Sequence, residues 1–271
     1  GIEFPYLPYD AAQALQAALP GATLLDSRET LDILRGRKSA AELALVREAS
    51  ERVIESMRAV IAKLRPGMTK QQAADALKQE EVARGLVFEY CLITAGADMN
   101  RAPSDQVVRA GDILSIDSGG SYRGYIGDLA RMAIVGEPDA ELVDLLGEIE
   151  TVQQAAFRPI RPGLMGREIY GAAHAALAQL PHGNQLDFVA HGVGMVTHEV
   201  PRLSNRAPSP YPDTDAHLPL QPGMVISVET TLKHPTRGFI KLEDTVAVVD
   251  GGHEVYANSL RGWNRAGAAA G

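Results

Sequence analysis

The chain has one cysteine, Cys91, among 271 residues. A single thiol excludes an intrachain disulfide and a thiolate metal cluster. It fits a reducing setting, and a cytoplasmic location is expected. No apolar run reaches membrane length, so no membrane partner is expected. No basic run occurs and the net charge is −8, which removes the global electrostatic footprint of a nucleic-acid binder. Neither a Gly-x-x-x-x-Gly-Lys loop nor a Gly-x-Gly-x-x-Gly strand-to-helix turn is present, so no phosphate cradle is expected either. What remains is 45% hydrophobic and 22% charged, an ordinary soluble globular composition. The length suffices for one large domain or two modest ones, with a sizeable core and no staples.

Two segments of this chain nearly copy each other. Gly111-Asp-Ile-Leu-Ser-Ile-Asp117 matches Gly223-Met-Val-Ile-Ser-Val-Glu229, with glycine first, apolar residues between and an acid six positions on. A second acid follows each: Asp128 in Gly127-Asp-Leu-Ala-Arg131, and Glu243 in Lys241-Leu-Glu-Asp-Thr245.

The surrounding pattern repeats as well. Residues 1–37 read as a short strand, a helix near Ala11–Leu19 and a strand near Thr23–Asp26. Ser39-Ala-Ala-Glu42 is a capping box that opens a long amphipathic helix, stopped by Arg65-Pro66-Gly67. Thr69-Lys-Gln-Gln72 opens a shorter one towards Arg84. Strands are expected at 86–94, 112–118, 122–126 and 128–135. A helix from Asp139 to Phe157 then ends in Arg161-Pro162-Gly163, and another runs from Gly166 to Leu180. Strands follow near 186–191, 223–231 and 239–249. The proline-rich stretch 201–222 is read as an exposed ordered loop, and 263–271 as a flexible tail. Two copies of helix, stop, helix and sheet predict a pseudo-twofold α+β fold, with helices outside a curved antiparallel sheet.

Four acids on apolar strands are costly if charged and unpaired, and together they repel. Two divalent cations would neutralise them. Carboxylates suit hard or borderline ions, and a histidine biases a site towards transition metals. His191-Gly-Val-Gly-Met-Val-Thr-His198-Glu199 supplies two candidates seven residues apart, among glycines that permit close backbone approach. His174, His182, His217, His234 and His253 lack such a setting and are read as ordinary core or surface groups. Glu199 is read as either orienting a histidine or facing solvent, and Asp244 as pointing away from Glu243. Two ions about 3.5–4 Å apart can share a water, lower its pKa and hold a carbonyl oxygen. That chemistry hydrolyses a C–N bond with no covalent enzyme intermediate.

These residues resemble the catalytic domain of the pita-bread metallopeptidases: Xaa-Pro aminopeptidase, Xaa-Pro dipeptidase (prolidase) and, more distantly, methionine aminopeptidase. The likeness runs from about residue 39 to 260. It rests on Ile116-Asp117-Ser-Gly-Gly, Gly127-Asp128-Leu-Ala-Arg131, His191-Gly-Val-Gly with His198-Glu199-Val-Pro201, Ser227-Val-Glu229 and Leu242-Glu243-Asp244-Thr245. The resemblance implies the pita-bread fold over residues 38–262, with 1–37 the tail of a truncated N-terminal domain. It implies that Asp117 binds one ion, His191 and Glu229 the other, and that Asp128 and Glu243 bridge both. The attacking hydroxide would lie between the ions and Glu229 would accept its proton. His198 would bind substrate or the tetrahedral oxyanion. The expected ions are Mn²⁺ or Co²⁺, with Zn²⁺ or Fe²⁺ as alternatives, and a homodimer is expected by analogy.

Two departures from the family pattern stand out. Family peptidases usually carry a substrate-binding histidine on the segment that here reads Ala95-Gly-Ala-Asp-Met-Asn-Arg-Ala-Pro-Ser104. Asn100 or Arg101 stands near its place, and both become candidates for substrate binding. Lys241 stands where the family often has arginine, two residues before the last ligand. A point charge there replaces a planar fork. The function expected is a dinuclear metallohydrolase, a Xaa-Pro peptidase acting on short peptides. Hydrolysis of a small non-peptide amide on the same fold is the alternative, and a non-catalytic binding module a further one.

Overall fold

The computed structural model describes residues 1–204 and 213–267. Helix α1 spans Tyr9–Ala18 and α2 spans Arg28–Gly36. The second is absent from the sequence-based expectation, because its buried side is Asp32 and Gly36 rather than an apolar stripe. The strand expected near Thr23–Asp26 is only a bridge between Ile2 and Asp26.

Both capping boxes form. The Ser39 hydroxyl accepts from the Glu42 amide while the Glu42 carboxylate accepts from the Ser39 amide, which starts α3 (Ala40–Lys63). Thr69 and Gln72 start α4 (Lys70–Ala83) in the same way. Strands β1 (Val87–Ile93), β2 (Ile113–Tyr122) and β3 (Tyr125–Ile134) follow. Helices α5 (Ala140–Phe157) and α6 (Arg167–Leu177) precede β4 (Leu186–Gly192), β5 (Val225–His234), β6 (Gly238–Val249), β7 (Gly252–Val255) and β8 (Asn264–Arg265).

The sheet order is β1-β2-β3-β6-β5-β4, so two three-stranded units meet at β3 and β6. The pairs along this path are antiparallel. Helix α3 packs on β2 and β3 and α4 on β1; α5 packs on β5 and β6 and α6 on β4. This is the pseudo-twofold α+β arrangement the repeat predicts. Each half has its own apolar core between helix and sheet: Val53, Met57, Leu77 and Leu114 in the first, Leu145, Ile149, Val228 and Leu242 in the second. With the helices on one face, alternation sends every second strand residue to the other face, where the site lies.

Three expectations need correction. The break expected between strands 112–118 and 122–126 does not exist. β2 and β3 run ten residues each, and the chain reverses at Arg123-Gly124. Gly119 and Gly127 serve close approach instead. A Cβ on Gly119 would overlap the Tyr90 ring, and one on Gly127 would overlap the α3 backbone at Ser50. Residues 263–267 pack on the domain rather than forming a flexible tail. Asn264 and Arg265 pair in parallel with Ala133 and Ile134, and the Trp263 indole donates to the Leu142 carbonyl at 2.9 Å. The domain thus extends past the expected end at 262, and residues 268–271 lie outside the described residues. Within the proline-rich stretch, Leu203, Ala216 and Leu220 are buried rather than exposed, and 205–212 lie outside the described residues.

Candidate metal centre

The sheet register brings the five predicted ligands to one face. Glu229 on β5 lies directly opposite Glu243 on β6, and Glu243 pairs with Ala130, two positions from Asp128. Asp117 on β2 pairs with that same Ala130. His191 closes β4 two residues after Val189, the partner of Glu229. All five line a cavity of about 700 Å³. Its apolar wall includes Leu92, Met99, Val189 and Phe239, and Arg101, Asp187, His198 and Lys233 also line it.

Asp117, Asp128, His191 and Glu243 are buried. His191 Nε2 stands 3.9 Å from Asp128 Oδ2, 3.7 Å from Glu229 Oε1 and 3.8 Å from Glu243 Oε1. It has no hydrogen-bond partner among the described residues. Two donors each about 2.0–2.1 Å from one ion can be no more than about 4.2 Å apart, so this spacing suits ligands of a shared cation and is too long for hydrogen bonds. Asp128, His191 and Glu243 offer ligand atoms that all lie within 4.8 Å of one another. The donor set, carboxylate with imidazole, and the orphaned ring nitrogen both fit a divalent ion.

The electrostatics show the same appetite for positive charge. Burial pushes the Asp117 carboxyl up to about 6, although Lys241 and Arg101 pull it down. Burial and then Glu243 hold Asp128 well above the usual carboxylate range. For Glu243 burial is outweighed by Lys241 and His191, and it is held well below that range. Burial lowers His191, but Glu243, Glu229 and Asp128 overcome it and lift the imidazole to about 9. A histidine held as a cation by three carboxylates marks where a metal would supply the charge instead.

Lys241 lies inside the cage, on the face that it shares with Glu243 two residues on along β6. Its ammonium is 2.6 Å from Asp117 Oδ2, 2.6 Å from Glu229 Oε2 and 2.8 Å from Glu243 Oε2. Arg101 donates to Asp117 Oδ2 as well, and its guanidinium lies over the Phe239 ring, 5.1 Å from the centroid. Asn100 is turned away from the cavity. Its Oδ1 accepts from the Ala102 amide at 3.0 Å, and its carbonyl accepts from the buried Lys70 ammonium at 2.5 Å.

His198 stacks on His191, ring centroids 3.7 Å apart and 22° between planes. Burial, and then the neighbouring His191, lower its pKa to about 4. Its Nδ1 is buried without a hydrogen-bond partner among the described residues. Glu199 neither orients a histidine nor faces solvent. It pairs with the buried Lys38 at 2.6 Å and accepts from the Met195 amide at 2.9 Å, so it shapes the loop that carries His198. Tyr90 is a further member of the site. Its hydroxyl donates to Asp128, and burial followed by Asp128 keeps it protonated well past the ordinary tyrosine range. No spacing signals this, because Tyr90 reaches Asp128 only across the Gly119 gap.

The model of metallopeptidase family M24 matches residues 44–250. This chain belongs to metallopeptidase family M24. The M24 domain is similar to "Probable dipeptidase PepE" of Mycobacterium tuberculosis, 32% identical over 83% of this chain and 59% of that protein. "Uncharacterized peptidase YqhT" of Bacillus subtilis is 26% identical over 96% of this chain and 72% of its own length. The chain thus spans between about three-fifths and three-quarters of the length of these curated relatives. Among solved structures, X-Pro aminopeptidase from Thermotoga maritima superposes with a TM-score of 0.86 at 21% identity, covering 97% of this chain and 73% of that one. Dipeptidase PepE from Mycobacterium ulcerans superposes with a TM-score of 0.82 at 28% identity, covering 96% and 69%. The fold of this M24 chain is the pita-bread fold, and the relatives named are peptidases, hydrolases of the peptide bond. No helix among the described residues is long and apolar enough to cross a membrane.

Proposed function

We propose that this M24 chain is the catalytic part of a metal-dependent peptidase that hydrolyses short peptides, with Xaa-Pro peptides as the first substrates to try. The observation that carries the reading is His191 Nε2, buried, without a partner, and 3.7–3.9 Å from three carboxylate oxygens. Asp128, His191 and Glu243 would hold one divalent ion, and Asp117 and Glu229 would offer oxygens to a second. Mn²⁺ or Co²⁺ are the ions to load first, followed by Zn²⁺ or Fe²⁺. Bound divalent ions supply Lewis acidity, lowering the pKa of a water and polarising a carbonyl.

The protein's own groups do the rest. Glu229 is the more accessible of the cage acids, its side chain 16% exposed, and it takes the proton of the attacking water. His198 is neutral above about pH 4. It can donate one N–H to the substrate carbonyl oxygen as negative charge builds there. The Glu199–Lys38 pair holds the His198 loop in place. The apolar wall excludes water and receives the residue beside the scissile bond. A homodimer in the cytoplasm completes the reading on the resemblance alone.

Arg101 favours a second reading. It stands near the place of a family histidine and is engaged with Asp117, which leaves specificity for a small non-peptide amide as the competitor. Metal content and turnover of Xaa-Pro dipeptides, Xaa-Pro-Xaa tripeptides and small amides, all with Mn²⁺ added, separate the readings. Bound metal with Xaa-Pro turnover supports the proposal. Bound metal with turnover of small amides alone supports the competitor. No metal and no turnover points to a binding module.

A further inference from the structure

The carboxylate cage is divided. On one side Asp128, His191 and Glu243 gather around a ring nitrogen that has no partner. On the other, Lys241 brings one ammonium to three oxygens, at 2.6 Å from Asp117, 2.6 Å from Glu229 and 2.8 Å from Glu243. The contact to Asp117 is a hydrogen bond, and those to Glu229 and Glu243 are close ion pairs. Arg101 adds a second cation to the same Asp117 oxygen. The Lys241 side chain is 4% exposed, so solvent does not screen these contacts.

Charge counting agrees with the geometry. Asp117, Asp128, Glu229 and Glu243 carry four negative charges when ionised. Lys241 and Arg101 supply two positive ones, and one divalent ion supplies the other two. A second divalent ion would leave an excess of positive charge in a buried site, which is unfavourable unless a resident cation moves out. Lysine suits this role. It is a compact point charge on a flexible stem and can place its nitrogen at the centre of three converging oxygens, which a planar guanidinium cannot do.

We propose that Lys241 is a resident cation of the centre: the chain holds one divalent ion tightly at Asp128, His191 and Glu243, and takes a second only when the Lys241 ammonium withdraws from Asp117 and Glu229. The inference rests on the reading of this cage as a metal site. It adds that Lys241 competes with a second ion for Asp117 and Glu229.

The test is a Mn²⁺ titration of metal-stripped protein. Ions per chain are counted by elemental analysis after dialysis, and electron paramagnetic resonance distinguishes isolated from spin-coupled Mn²⁺. One tight ion with an isolated-ion spectrum is expected, with a second, spin-coupled ion only at much higher free Mn²⁺. Lys241→Met removes the ammonium and should strengthen binding of the second ion by about tenfold or more. Lys241→Arg keeps the charge but loses the fit, and should give a smaller gain; it also serves if Lys241→Met does not fold. Two equally tight ions in the unaltered protein would overturn the inference and leave the peptidase reading standing. Second-ion affinity unchanged in both variants would overturn it too. No bound ion at any concentration would instead remove the metal site, and the proposed function with it.

Discussion

The two faces of the sheet each bury a cation among carboxylates, and they finish the task differently. On the helix face, Arg131 and Asp244 pair at 2.8 Å, both fully buried. Arg131 also donates to the carbonyls of Ala130, Glu243, Ala257 and Ser259. Asp244 accepts from Gln153 and Arg261 on its other oxygen. That network has a partner for each donor and acceptor, as a structural buried pair requires. On the opposite face, one strand position away, the Glu243 side chain enters the cage, where His191 Nε2 and His198 Nδ1 are buried without hydrogen-bond partners among the described residues. Completeness marks the group that holds β3 to β6, and incompleteness marks the group that awaits a ligand. Neighbouring residues Glu243 and Asp244 thus have opposite roles because alternation points them to opposite faces.

Substitutions should separate the faces. The largest effect on the site face comes from Asp128→Ala or Glu243→Ala, each expected to abolish metal binding with the fold retained. Elemental analysis and circular dichroism read the two outcomes, and full metal in either variant would contradict the assignment. The largest effect on the helix face comes from Arg131→Met, which leaves Asp244 buried with less compensation. A loss of about 3–5 kcal/mol is expected from denaturant unfolding, and a change below experimental error would mean the network contributes no stability. His198→Ala should leave metal content normal and lower kcat by about 10²–10³-fold, the scale of losing one donor to a developing oxyanion. An unchanged kcat would remove His198 from the mechanism.

A pH-dependent test concerns Glu81, buried in α4 on the helix face. Ser118 Oγ lies 2.8 Å from Glu81 Oε1 and 2.7 Å from the Tyr90 carbonyl oxygen. One hydroxyl proton cannot serve two acceptors, and a carbonyl only accepts. When Ser118 donates to Tyr90, the Glu81 carboxyl must carry the proton that joins it to Ser118. Burial accordingly raises Glu81 from 4.5 to about 8, although the Ser118 contact works the other way. A folded pKa above the unfolded one gives a contribution that is full below pH 4.5 and is lost as pH rises through about 8. Glu81→Gln should remove that loss. Its stability relative to the unaltered protein should climb between about pH 5 and pH 8, as thermal melts across that range would show. A difference independent of pH would mean that Glu81 is ionised in the folded chain.

Much of this was readable before any coordinates. The two capping boxes, the paired acid-tipped strands and the His191 to His198 spacing are local patterns, and local hydrogen bonding and strand alternation act on them directly. The partners of Tyr90, Lys38 and Lys241 are not readable in that way. Lys38 meets Glu199 across 161 residues of chain, and Lys241 meets Asp117 across 124. Gly119 and Gly120 do not interrupt β2, and nothing local shows that the Tyr90 ring fills the space above Gly119.

The sequence by itself determined the repeat, the helix starts and which residue types could hold a cation, since these depend on neighbours a few positions apart. Only the tertiary structure decided which side chains meet. The register of β3 against β6 places Asp117, Asp128, Glu229 and Glu243 together and sends Lys241 among them, and a one-residue slip in that register would turn every one of those side chains of a strand to the other face.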